Sequence, residues 1–195
     1  MDVNRRRQWI WWVGAVVSGG NATSIVASVV AGATSAMFAL SIATFARFVL
    51  LGLSWLCLGH LLAYRYRLRL VPAIAAMTGA GILLNMLFLT LYIGTPVQTL
   101  LVYIQFCGSI LLGLALLLSP HGLPIDFRVY GLFLLASQAV YWATETGWAW
   151  TMHFPFLLAG IDVAAALWLA GLFARSARRS QEREPGSPVG RQVAV

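Results

Sequence analysis

Lysine does not occur in this 195-residue chain, cysteine occurs twice, histidine three times and acidic residues six times, and charged residues together make up 10% of it. Soluble domains carry nearer a quarter of their residues as charges. The shortage of charge therefore excludes an ordinary water-soluble domain. With Cys57 and Cys107 both inside apolar runs, neither a disulfide framework nor a metal site is expected, and both read as small core residues. His60, His121 and His153 are too scattered to hold haem or zinc. No glycine-rich phosphate loop, nucleotide motif or serine–histidine pair at matching depth is found, so no cofactor is implied.

What is present is apolar. Hydrophobic residues are 60% of the chain and its mean hydropathy is +0.81, which is the composition of an integral membrane protein. The expected fold is all-α, a polytopic bundle of six transmembrane helices within residues 1–174, at about 9–30, 36–62, 71–92, 96–118, 127–150 and 154–173. Residues 175–195, rich in Arg, Glu, Pro and Gly, read as a disordered tail.

All thirteen basic residues are Arg, and the net charge is +7. Twelve of them sit at segment ends or in the tail, so their role is topological and no nucleic-acid partner is implied. Arg5 to Arg7, Arg65 to Arg69, Arg128 and the tail fall on one side, and the opposite connections hold none. The positive-inside rule then places both termini in the cytoplasm. The absence of Lys suggests a GC-rich, bacterial genome and hence the plasma (inner) membrane.

Tyr64, Arg65, Tyr66, Arg67 and Arg69 read as a basic interfacial loop among membrane lipids. The first segment carries Ser18, Gly19, Gly20, Asn21, Thr23 and Ser24 at its middle. Such a run either packs closely against a neighbouring helix or marks a broken helix facing a cavity. A cleaved signal peptide is a further reading of the N-terminal segment, against which the interrupted apolar run and its Trp residues argue.

Three ionisable residues lie deep in apolar runs: Arg47 in the second, Glu145 in the fifth and Asp162 in the sixth. At ~1.5 Å per residue, Asn21, Arg47, Asn85, Gln105, Glu145 and Asp162 fall roughly 7 to 17 Å below the outer edge of a ~30 Å slab. Each helix thus contributes one member to a polar layer. An isolated charge there costs about 2.5–3.5 kcal/mol, so Arg47 should pair with Glu145, Asp162 or both. If both acids are ionised, one negative charge is left over, which invites a shared proton or a cationic ligand. Gln138, Tyr141, Trp142 and Glu145 are spaced to share one face of the fifth helix.

Three functions fit. The first is a small carrier or ligand-binding membrane protein whose site of Arg47, Asn21, Asn85, Gln105, Gln138, Tyr141 and Trp142 takes a small apolar or cationic ligand. The second is a membrane enzyme of the acid-initiated cyclase or isomerase type, with Glu145 or Asp162 as catalytic proton donor to a lipid or isoprenoid. The third is a structural or assembly subunit, in which Gly14, Ser18, Ala164 and Ala165 would contact a partner subunit or a second copy.

Overall fold

The computed structural model describes residues 3–91, 96–119, 123–145 and 154–181. Its described residues form six α-helices: α1 (Val3–Ala33), α2 (Met37–Tyr66), α3 (Leu70–Leu91), α4 (Pro96–Leu118), α5 (Ile125–Glu145) and α6 (Phe154–Gln181). Five of them are long and apolar enough to cross a membrane. α5 falls short by composition, because Asp126, Arg128, Ser137 and Gln138 dilute its apolar stretch. Large apolar side chains point outward on every helix, among them Val16, Phe38, Met77, Leu111, Leu132 and Leu157. An outer surface of this kind suits hydrocarbon and not water.

The helices close into a ring. α1 packs on α2, α2 on α3, α3 on α4, α4 on α5, α5 on α6 and α6 back on α1. Neighbours are antiparallel throughout: Gly52 and Gly59 of α2 approach Gly79 and Pro72 of α3 in reverse order, and Gly14 of α1 meets Phe173 of α6. All the described arginines except Arg47 consequently gather at one end of the ring.

Two seams are glycine-dependent. A Cβ on Gly79 would lie 2.8 Å from the Gly52 carbonyl oxygen, and one on Gly131 would lie 2.8 Å from that of Gly113. Only residues lacking a side chain allow backbones this close.

Several boundaries differ from the sequence reading. α1 is continuous through Ser18 to Ser24, so the broken-helix alternative does not hold. The hydroxyls of Thr23, Ser24 and Ser28 donate to carbonyls four residues back, which satisfies them within the helix. α2 continues through Tyr64, Arg65 and Tyr66, which the sequence places in a loop. Arg67, at φ 52°, ends it in the left-handed region, where its N–H reaches the Leu62 carbonyl.

α6 likewise runs through Arg175 to Gln181, where a disordered tail had been expected to begin. Arg178 and Arg179 in its last turn complement the helix dipole. Arg175 pairs with Asp126 at 3.5 Å, and Arg65 donates to the Ser176 carbonyl. The rest of the tail, from 182, and residues 146–150 of the expected fifth span lie outside the described residues. Cys107, expected in the core, faces outward, while Cys57 is half-buried.

Candidate functional site

The interior of the ring is packed at one end and hollow at the other. In the arginine-rich half, Leu58, Leu61, Leu62, Phe127, Leu172 and Phe173 belong to one tightly buried core. In the opposite half lies a cavity of about 450 Å³. Every helix lines it: Ser18, Asn21 and Ile25 from α1; Arg47, Phe48, Leu51, Ser54 and Trp55 from α2; Asn85 and Met86 from α3. Val102, Gln105, Phe106 and Ser109 come from α4, Tyr130, Leu134, Ser137, Gln138 and Tyr141 from α5, and Leu158, Asp162, Ala165, Ala166 and Leu169 from α6.

The lining is stratified. Counting at ~1.5 Å per residue from the arginine-free end of each helix, Leu158 and Tyr141 form a rim. Below it comes a belt of Asn21, Arg47, Asn85, Gln105, Ser137, Gln138 and Asp162. The floor is Trp55, Tyr130 and Leu169, all at most 2% exposed, with Trp55 Nε1 donating to the Tyr130 hydroxyl at 2.9 Å. That bond joins α2 to α5 across the ring.

The charged centre joins α2 to α6. Arg47 Nη2 donates to Asp162 Oδ2, and the Ser137 hydroxyl donates to Asp162 Oδ1 at 2.6 Å. Each carboxylate oxygen therefore has its own donor. Arg47 also lies over the Phe48 ring, 5.8 Å from its centroid. Near the floor, Ser18 donates to Ser54 at 3.1 Å, and Ser54 donates to the Leu50 carbonyl.

The carbonyl oxygens of Asn21 and Asn85 are different. Each residue is only 4% exposed, and neither Oδ1 has a hydrogen-bond partner. A buried acceptor without a donor costs about 1–3 kcal/mol, so two of them in one cavity wall call for an explanation.

Of the expected site residues, Asn21, Arg47, Asn85, Gln105, Gln138, Tyr141 and Asp162 all line this one cavity. Trp142 does not. It stands one residue, about 100° of helix, beyond Tyr141, is 52% exposed and packs edge-on against Phe106. Glu145 is the last residue of α5, and its side chain lies outside those described.

Ser137, Tyr130, Trp55 and Ser54 were missed by sequence reasoning. Ser137 falls one helical turn before Tyr141, on the face already picked out by Gln138 and Tyr141, and this spacing was the available signal. Trp55 and Tyr130 carry no such signal, because aromatics near segment ends read as interfacial anchors.

Of Gly14, Ser18, Ala164 and Ala165, the small residues suggested for a partner, three are engaged within the chain, while Ala164 is half-buried. A Cβ on Gly14 would sit 2.9 Å from the Phe173 ring, Ser18 is bonded to Ser54, and Ala165 faces the cavity. The chain matches no known family model, curated protein or solved structure. The site must be interpreted from its geometry.

Proposed function

We propose that this is a small carrier or ligand-binding protein of a bacterial plasma membrane, with both termini cytoplasmic and a binding cavity in the outer half of the bilayer. The observation that carries the reading is the cavity itself. Its volume falls within the ~300–1,000 Å³ typical of small-molecule sites, and such sites combine apolar walls with a few placed polar groups. A bundle needing only mechanical integrity has no use for this hollow, since apolar packing would be at least as stable.

The engagement of Asp162 weighs against the enzyme reading. A carboxylate holding an Arg47 donor on one oxygen and a Ser137 donor on the other is arranged as an acceptor, not as a proton donor to an apolar substrate. The internal use of Gly14, Ser18 and Ala165 likewise weighs against the assembly-subunit reading.

The test is to fill the hollow. Ala166 is 5% exposed and lines the cavity, so Ala166→Phe places a ring in the ligand's space. Small molecules retained by the purified wild type and by this variant are compared by mass spectrometry. A compound carried at near-stoichiometric amount by the wild type and absent from Ala166→Phe is the expected result. Identical profiles from two equally monodisperse preparations would count against the proposal.

A further inference from the structure

We infer that the cavity's ligand is an uncharged molecule presenting at least two hydrogen-bond donors beside an apolar surface, a diol or a primary amide in chemical class. The inference rests on the binding reading above and adds the chemistry of what is bound.

Charge decides the first half. Among the described residues, Arg47 and Asp162 are the only charged ones in the cavity wall, and they are spent on each other. The described wall has no net formal charge. An ionic ligand would give up its hydration to enter a space without a free counter-charge, a poor exchange in a low-dielectric interior. The leftover negative charge that the sequence suggested belongs to Glu145, whose side chain lies outside the described residues, and the described wall itself gives no reason to favour a cation.

The unpartnered atoms decide the second half. Asn21 Oδ1 and Asn85 Oδ1 are acceptors without donors, on helices flanking α2 from either side. Amide carbonyls in that state select ligand O–H or N–H groups, one for each. The Tyr130 hydroxyl accepts from Trp55, and its own proton has no acceptor among the described residues, so one ligand oxygen is matched too. Phe48, Leu134, Met86 and Phe106 supply apolar wall for the remainder. A site whose buried polar groups are completed only by the ligand rejects analogues that lack the matching group.

Four probes of one skeleton test this: hexane-1,2-diol, its dimethyl ether, hexylamine and hexanoate. Binding is read by ligand-observed NMR as the difference between wild type and Ala166→Phe in the same lipid nanodiscs, which cancels partition into lipid. The diol is expected to give a cavity-dependent signal, with the ether, amine and carboxylate at least about tenfold weaker. Asn21→Leu and Asn85→Leu should each weaken the diol about two- to tenfold, the range for one net hydrogen bond. Both variants should melt at or above the wild-type temperature, because each removes an unsatisfied buried acceptor.

Amine or carboxylate binding as well as the diol overturns the uncharged class, and ether binding as well overturns the donor requirement. A lower melting temperature in both Asn variants shows their carbonyls already satisfied and also overturns the inference. If no probe gives a cavity-dependent signal while the wild type still retains a compound that Ala166→Phe lacks, this inference fails and the binding reading stands. With neither signal nor retained compound, both fail.

Discussion

A single pair sets the electrostatics of the interior. Arg47 and Asp162 have side chains 28% and 17% exposed, so the pair is partly reached from the cavity and less costly than one sealed in protein. Removing one partner leaves the other unmatched. Arg47→Met should lower stability by up to about 3 kcal/mol, the low end for breaking a buried pair. The double variant Arg47→Met with Asp162→Leu should recover most of that loss, measured as thermal unfolding in one detergent. If the double variant is less stable than the single one, the pair is not the balance of charges described. That these two residues meet was legible from the sequence, because a lone charge at that depth has few affordable alternatives. Ser137 was not: serine is common in membrane helices as a self-bonding residue, and only the fold shows that it reaches Asp162 and not its own backbone.

The helices themselves were read with fair accuracy because apolar length is a strong signal, but their arginine-rich ends were cut too short. Positive charge reads in the sequence as a boundary of structure, whereas Arg65 over Trp11 and Arg175 over Trp168 extend the packing past the apolar run. Glycine positions separate into two kinds that the sequence does not distinguish. Gly79→Val would drive side-chain atoms into the Gly52 carbonyl and the Trp55 Cβ, and should destabilise by about 1–3 kcal/mol. At Gly160, where a Cβ meets nothing within 4 Å, Ala should be neutral or stabilising by up to about 1 kcal/mol. Melting curves of the two variants side by side check this, and equal effects would mean that the α2–α3 seam is looser than described.

For the molecule as a whole, the sequence foretold that Asn21, Arg47, Asn85, Gln105 and Asp162, from five helices, share a level, and depth counting sufficed because it needs only distance along each chain segment. It could not foretell the ring order or the hollow, which depend on the direction each helix face takes. In a cysteine-free background, Ser35→Cys, between α1 and α2 at the arginine-free end, should react with a membrane-impermeant maleimide added to intact cells. Leu70→Cys, at the arginine-rich start of α3 and 72% exposed, should react only after permeabilisation. The reverse pattern would turn the molecule over and open the cavity to the cytoplasm. One consequence lies in how the ring is braced. Among the described residues, α2 carries three hydrogen-bonded ties that cross it, the Arg47 pair and the Arg65 bond to α6 and the Trp55 bond to α5, spread over eighteen residues or ~27 Å of one rigid rod. Sliding that rod would strain all three ties at once, so α2 acts as a bolt through the ring.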